Sequence, residues 1–131
     1  MSYIKVVAAV IIKDQKVLIA RRKQGKSLEF MWEYPGGKVE ANENEKDSLK
    51  RELLEEFSIE TEVKDYLTES FHDYGSFKIN LRAYLVNHTS GDFKLTDHDQ
   101  VAWVTIKEFP NYEFAPADLP INQYLLKNHV F

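Results

Sequence analysis

Two apolar, β-branched segments open the chain at residues 3–13 and 16–20, separated by Asp14 and Gln15. Such a pair of segments predicts a β-hairpin. Further apolar or β-branched segments predict strands at residues 32–34, 63–73, 78–86, 93–95 and 101–104. Strand-forming segments therefore dominate the chain as far as residue 104.

Helical periodicity replaces this pattern at residues 44–57. Apolar side chains recur there at every fourth position: Leu49, Leu53 and Phe57. Asn44 is a suitable N-cap, and Asp47 follows near the positive end of the helix dipole. The segment therefore predicts an amphipathic helix with one buried face.

Two shorter helices are predicted at residues 105–109 and at 120–128, where Pro120 suits a helix start. Residues 23–30 predict a polar loop, and the Pro-Gly-Gly sequence at 35–37 predicts a turn. One central helix and one terminal helix among many strands indicate an α+β fold. We expect a three-layer α/β/α sandwich with a mixed central sheet.

Length and composition narrow the class of protein. A chain of 131 residues suits one domain, so we expect residues 1–131 to form a single unit. It contains no cysteine, which excludes disulfides, thiolate zinc sites and a cysteine nucleophile. The formal charge of -4 argues against binding long nucleic acids. The longest apolar run, Val6 to Ile12, is too short to span a membrane, and we expect a cytoplasmic protein.

The predicted central helix carries a concentration of acidic residues. Glu52, Glu55 and Glu56 lie at i, i+3 and i+4, so a helix places all three carboxylates on one face. A hard divalent cation such as Mg²⁺ would relieve their mutual repulsion. The alternative is a solvated helix face that is neutralised by nearby basic residues: Lys46, Lys50 and Arg51.

The spacing of residues around these acids favours the cation. Matching positions occur in the order Gly37, Glu43, Arg51-Glu52-Leu53, Glu55-Glu56 and Ser58-Ile59. This arrangement resembles the Nudix box, G-x5-E-x7-R-E-U-x-E-E-x-G-U, in which U is an apolar residue. The one departure is Ser58 in place of the last glycine. A serine in a left-handed conformation at a helix end costs stability, and we expect activity to be retained.

The resemblance continues across most of the chain. Residues 6–11, 32–40 and 115–120 are similar to the MutT-type nucleoside triphosphate pyrophosphohydrolases, and most of all to the bacterial CTP and modified-dCTP branch. That family has the Nudix α/β/α fold. The resemblance implies attack of water on the β-phosphorus, with release of a nucleoside monophosphate and pyrophosphate. It also implies a small nucleotide substrate rather than long nucleic acid or membrane, for a monomer or homodimer that acts in nucleotide-pool sanitation.

The same resemblance assigns roles to individual residues. It implies a Mg²⁺ ion, with Mn²⁺ as a possible substitute, bound by four ligands: Glu52, Glu55, Glu56 and the carbonyl of Gly36. Arg51 would orient a glutamate of the box, and Glu43 would brace the loop before the helix. The general base aligns with Asp97, and Asp99 is the alternative.

Substrate-binding residues are also implied by position: Arg22, Glu33, Gly37, Lys38, Tyr74 and Asp118. Arg22 corresponds to an arginine near the phosphates, although an ordinary strand-edge charge is the alternative. Asp118 corresponds to the residue that contacts the base. If ionised it only accepts hydrogen bonds, which suits the cytosine amino group, whereas a protonated Asp118 suits an oxidised guanine. Its other possible role is to cap the helix that starts at Pro120.

Several residues have more than one possible role. Tyr74, Phe77 and Leu81 lie on a predicted hairpin, where they pack either beside the base or in the core. We expect His98 to lie in a loop and the other histidines to be surface or packing residues: His72, His88 and His129. A different diphosphate substrate and a non-catalytic nucleotide sensor are alternative functions, and the intact carboxylates of the box disfavour the sensor.

Overall fold

The computed structural model describes residues 2–131. The strands in this range are β1 (Ile4–Lys13), β2 (Lys16–Arg22), β3 (Trp32–Glu33), β4 (Gly36–Lys38), β5 (Glu60–Asp73), β6 (Lys78–Ser90) and β7 (His98–Val104). The α-helices are α1 (Glu45–Phe57) and α2 (Leu119–Asn128), and 3₁₀ helices span Ile106–Asn111 and Pro116–Asp118. Neither α-helix of the described range has the length and apolar character needed to cross a membrane.

The strands form one mixed sheet. Its main path runs β3-β2-β1-β6-β5, while β4 pairs with β1 and β7 pairs with β2. β1 and β6 are parallel, and the other pairs are antiparallel. β1 and β2 join through Asp14 and Gln15, which both have positive φ as a tight hairpin turn requires. The predicted hairpin and the predicted mixed sheet are confirmed.

Helices cover both faces of this sheet. Alternate residues of β1 enter different cores: Val7, Ala9 and Ile11 pack in the core that contains the α1 side chains, and Ala8 and Val10 in the one that contains those of α2. Both faces of the strand are buried, which explains why its apolar run is continuous rather than alternating. The predicted α/β/α sandwich is confirmed.

Helix α1 begins and ends as its sequence predicts. The Asn44 side chain accepts a hydrogen bond from the Asp47 N–H at 2.8 Å, so Asn44 is the N-cap. The helix ends at Ser58, whose φ of 57° is left-handed and whose N–H donates to the Leu54 carbonyl at 3.0 Å. The apolar face of α1 is buried against the sheet, so the acidic side chains of the helix lie outside this core.

Two local predictions need correction. Residues 93–95 are not a strand; Phe93 instead packs against Phe57 and Trp103, and the Lys94 N–H donates to the Phe57 carbonyl. The apolar Phe93 therefore packs on the end of α1 rather than in a strand. The turn predicted at 35–37 is confined to Pro35, since the two glycines after it belong to β4.

Replacing Ser58 with glycine should increase the free energy of unfolding by about 1 kcal/mol, because glycine has no Cβ to disfavour the left-handed backbone. Chemical denaturation of the wild type and the variant would measure the change. Ser58→Ala is the matched control, since it removes the hydroxyl and keeps the Cβ. An equal gain in both variants would show that backbone strain is not the cause.

Candidate active site

A cleft of about 720 Å³ brings together most of the residues predicted to form a site. Ten of them line it: Arg22, Glu33, Gly36, Gly37, Lys38, Glu52, Glu56, Tyr74, Asp97 and Asp118. They come from six separate parts of the chain, so only the fold places them together. Three other predicted residues are not in the cleft wall: Glu43, Arg51 and Glu55.

The two glycines of β4 allow the floor of the cleft to pack closely. A Cβ at Gly36 would overlap the carbonyl oxygen of Val7 in the neighbouring strand. A Cβ at Gly37 would overlap the carboxyl group of Glu52. Glycine is therefore required at Gly36, where β4 lies against the backbone of β1, and at Gly37 it leaves room for the Glu52 side chain from α1.

Arg51 organises the carboxylates next to the cleft. Its Nε and Nη2 donate to the two carboxylate oxygens of Glu43 at 2.7 and 3.0 Å. Its Nη1 donates to Glu52 at 3.0 Å and to Glu55 at 2.9 Å. The bonds from Arg51, together with one from the Ser48 hydroxyl, lower the pKa of Glu43 to about 2. This arrangement fits the predicted bracing of the loop by Glu43 and the orienting of Glu52 by Arg51.

Glu56 has an unusual environment for a carboxyl group. Its Oε2 atom is buried and has no hydrogen-bond partner among the described residues. Burial, with smaller contributions from Glu52 and Asp97, raises the pKa of Glu56 to about 8. Burial also raises the pKa of Glu52. Such a group is costly unless a cation or proton compensates it, so Glu52 and Glu56 fit a divalent cation at this end of the cleft.

Glu55 is placed differently. Its side chain is 57% exposed and is paired with Arg51. Within the described part of the chain, no three carboxylate or histidine side chains already stand together as a metal cluster. A role for Glu55 as a metal ligand therefore stays a prediction.

The two candidates for the general base lie in different places. Asp97 lines the cleft near Glu56 and pairs with the Lys26 ammonium at 3.1 Å, which lowers the pKa of Asp97. Asp99 binds the Arg21 guanidinium through two bonds of 2.8 and 3.0 Å, and it is not in the cleft wall. The geometry favours Asp97, because only this carboxylate faces the space in which a substrate would lie.

A second group of polar side chains surrounds Glu33. Its Oε2 accepts a hydrogen bond from Arg22 Nη1 at 3.1 Å and lies 2.8 Å from His98 Nε2. Arg22 also donates to the carbonyl and the hydroxyl of Ser27. The prediction that His98 lies in a loop is wrong: it is the first residue of β7, and its side chain is 2% exposed. The sequence predicts a strand only from residue 101, because the polar residues before it give no apolar signal.

Asp118 is buried at the far side of the cleft. Its Oδ2 accepts a hydrogen bond from the Tyr34 N–H at 2.9 Å. Asp118 does occupy the N-cap position of α2, but its side chain makes no capping bond there. Burial, and then the negative charge of Glu33, raise the pKa of Asp118 well above its usual range. The structure therefore favours a protonated Asp118, which can both donate and accept.

An aromatic wall stands beside Asp118. The Tyr74 and Phe77 rings lie 5.2 Å apart, and the Tyr74 hydroxyl accepts a hydrogen bond from the Ala117 N–H at 3.0 Å. The Ser70 hydroxyl donates to the Ala117 carbonyl at 2.7 Å. Tyr74, Phe77 and Leu81 all line the cleft. These bonds fix the chain just before Asp118 and leave the rings to contact a ligand.

The polar loop after β2 was missed as part of the site. Lys26, Ser27 and Leu28 line the cleft, although the sequence there predicts only a loop. No periodic pattern or motif marks them.

Two other histidines pack as predicted: His72 lies against Tyr74, and His88 against Phe93.

This chain is similar in sequence and in structure to several known proteins. The NUDIX domain family matches residues 6–124. The CTP pyrophosphohydrolase of Escherichia coli K12 is 36% identical over 121 residues, which cover 92% of this chain and 90% of the relative. The 8-oxo-dGTP diphosphatase of Haemophilus influenzae is 33% identical over 129 residues, which cover 95% of this chain and 94% of the relative. The solution structure of the E. coli ORF135 protein has a TM-score of 0.88 at 34% identity, covering 99% of this chain and 93% of that one.

Glu43→Gln should remove a stabilising contribution that depends on pH. The pKa of Glu43 is lowered to about 2 from 4.5, so its contribution is fully present above pH 4.5 and is lost as the pH falls through about 2. The melting temperatures of the wild type and the variant should therefore differ at neutral pH and converge in acid. A difference that is constant with pH would contradict the role of the Arg51 pair.

Proposed function

This chain belongs to the Nudix hydrolase family, and on that premise we propose that it cleaves a cytosine nucleoside triphosphate to the monophosphate and pyrophosphate. One observation carries the proposal: a single cleft holds the unpaired carboxyl oxygen of Glu56 and the buried carboxyl group of Asp118. The first suits a cation that binds phosphates, and the second suits a nucleobase. The E. coli relative that acts on CTP supports the choice of base.

Nudix hydrolases generally need divalent metal ions. We propose Mg²⁺, with Mn²⁺ as a substitute, and the ligands Glu52, Glu55, Glu56 and the Gly36 carbonyl. Two features fit a divalent cation: Glu56 Oε2 has no hydrogen-bond partner among the described residues, and the Glu52 carboxyl group lies directly against Gly37 of β4. When bound, a divalent cation neutralises phosphate charge and lowers the pKa of the attacking water.

The charges of the cleft support the proposal of a cation. Six carboxyl groups line it: Glu33, Glu40, Glu52, Glu56, Asp97 and Asp118. Three basic side chains oppose them: Arg22, Lys26 and Lys38. Even with Asp118 protonated, the acidic side chains outnumber the basic ones, so a triphosphate would be repelled without further positive charge. The proposed phosphate contacts are Arg22, Lys26, Lys38 and the backbone at Gly37, where no side chain stands in the way.

Proton transfer is assigned to Asp97. This carboxylate accepts the proton of the water that attacks the β-phosphorus, and the Lys26 ammonium keeps Asp97 ionised beforehand. Arg51 holds Glu52 in position and Glu43 holds Arg51, so these two residues act on geometry rather than on substrate.

Base recognition is assigned to Asp118. Protonation of Asp118 does not select an oxidised guanine alone, because a protonated carboxyl group offers one donor and one acceptor, and the cytosine edge also presents the N3 acceptor beside the N4 donor. The Tyr34 N–H donates to Oδ2, which leaves Oδ1 to carry the proton. Tyr74 and Phe77 provide flat apolar surfaces beside the base, and Glu33, whose charge acts on Asp118, adds an acceptor.

A second candidate substrate is 8-oxo-dGTP. The same donor and acceptor of Asp118 match the O6 and N1–H of an oxidised guanine, and the H. influenzae relative is an 8-oxo-dGTP diphosphatase. The two candidates share the phosphate chemistry and differ only in the base. A panel of nucleotides therefore separates them.

Pyrophosphate release with Mg²⁺ should be fastest for a cytosine nucleotide within a panel of CTP, dCTP, 5-methyl-dCTP, dGTP, 8-oxo-dGTP and ADP-ribose. Glu56→Gln should lower kcat at least about 100-fold, because it removes a proposed metal ligand, and should leave the melting temperature nearly unchanged. Glu62→Gln, an exposed carboxylate on β5, is the matched control and should retain full activity.

The outcomes separate the alternatives. A preference for 8-oxo-dGTP would select the second candidate, and a preference for ADP-ribose would contradict a triphosphate substrate. Binding without turnover would indicate a nucleotide sensor. An active Glu56→Gln enzyme with an unchanged metal requirement would refute the role of Glu56.

Asp118→Asn should retain the order of preference among bases, because Asn also donates and accepts and still pairs with the Tyr34 N–H. KM of the wild type should rise as Asp118 ionises towards alkaline pH, whereas KM of the Asn variant should stay flatter. Asp118→Ala should raise KM about tenfold. An unaltered KM in Asp118→Ala would show that this residue does not contact the base.

A further inference from the structure

His98 has no part in the reaction described above, yet it lies in the wall of the cleft. We propose that His98 is a positioning residue: its Nε2–H holds Glu33 towards the nucleobase end of the cleft and so helps to set which base is accepted. This inference rests on the proposed function, in which Glu33 and Asp118 face the base.

The ring of His98 is held on both its face and its edge. It stacks on the buried ring of Phe57, with centroids 5.1 Å apart and planes inclined by 22°. At the edge, Nε2 lies 2.8 Å from Glu33 Oε2, and the other ring nitrogen is buried without a partner among the described residues. With its side chain 2% exposed, the ring has little freedom to turn away. The direction of the Nε2–H is therefore built into the fold.

A bulge in the sheet creates this placement. Arg21 pairs with Gln100 and Arg22 with His98, so Asp99 is an extra residue on β7. Asp99 binds Arg21 outside the cleft wall, while Arg22 and His98 lie opposite each other and reach the same carboxylate. Bulges commonly redirect side chains in this way beside active sites.

Arg22 and His98 both bond to Glu33 Oε2, but they differ in what else they contact. Arg22 divides its donors between Glu33 and Ser27, and it is a proposed contact of the substrate phosphates. When Arg22 turns to a phosphate, the bond from His98 still holds Glu33. Both bonds go to Oε2, and Oε1 accepts none from the described residues, so Oε1 is available to the amino group of a base. The charge of Glu33 also acts on Asp118, which couples the two carboxyl groups.

Two substitutions of His98 separate the hydrogen bond from the packing. His98→Phe keeps a flat ring against Phe57 and removes the donor, whereas His98→Gln keeps an N–H donor at the end of the side chain. We expect His98→Phe to raise KM for the best nucleotide about tenfold, to change kcat less than about twofold and to weaken the preference among bases. His98→Gln should restore most of the loss. His88→Gln, a histidine outside the cleft wall, is the matched control.

A spectroscopic measurement tests the contact without any substrate. Long-range ¹H–¹⁵N spectra of the wild type should show a hydrogen on Nε2 of His98. In Glu33→Gln that signal should shift, because a neutral amide replaces the carboxylate that accepts the bond. A hydrogen on Nδ1 alone, or a signal that Glu33→Gln leaves unchanged, would overturn the proposal.

Kinetics of Glu33→Gln separate this inference from the function on which it rests. If Glu33→Gln raises KM and alters the base preference while His98→Phe matches the wild type, the inference is overturned and the proposed function stands. If Glu33→Gln matches the wild type, the proposed role of Glu33 fails and the inference falls with it. Equal losses in His98→Phe and His98→Gln, accompanied by equal drops in melting temperature, would show a purely structural residue.

Discussion

The site depends on the hydrogen bonds that the guanidinium group of Arg51 makes to neighbouring carboxylates. This group donates to Glu43, Glu52 and Glu55, and also to the Lys38 carbonyl. It thereby ties the strand β4 and the loop before α1 to the helix itself. Without this cation, three neighbouring carboxylates would repel one another and Glu52 would lose its orientation. A planar, permanently charged donor with several N–H groups suits this task better than lysine.

A second constraint is the close approach of β4 to its neighbours. Gly36 lies against the backbone of β1, and Gly37 against the carboxyl group of Glu52. Since β1 is buried on both faces, it cannot shift to make room for a side chain. The position of β1 therefore fixes that of β4, and β4 in turn limits where the Glu52 carboxyl group of α1 can lie. The site is precise because its floor is part of the core.

The cleft has two ends of different chemistry. At one end, Glu52 and Glu56 make an acidic, partly buried surface that suits a cation and phosphates. At the other, Asp118 and the aromatic wall make a mostly apolar surface with few polar groups. Glu33 lies between Arg22 and His98, and its charge acts on both Asp118 and Glu56. A ligand with a charged chain and a flat base matches this division.

The sequence by itself determined the elements whose signals are local. The periodicity of α1, its Asn44 cap and its acidic face follow from neighbouring residues, and so does the Nudix box. Only the tertiary structure decided which side chains meet: that Asp97 rather than Asp99 faces the cleft, that the Asp118 side chain accepts from the Tyr34 N–H, and that His98 reaches Glu33. These contacts join residues distant in the chain through strand register and a bulge, and burial then changes the pKa of the groups involved. No local pattern encodes such long-range pairing, because it depends on the packing of the whole sheet.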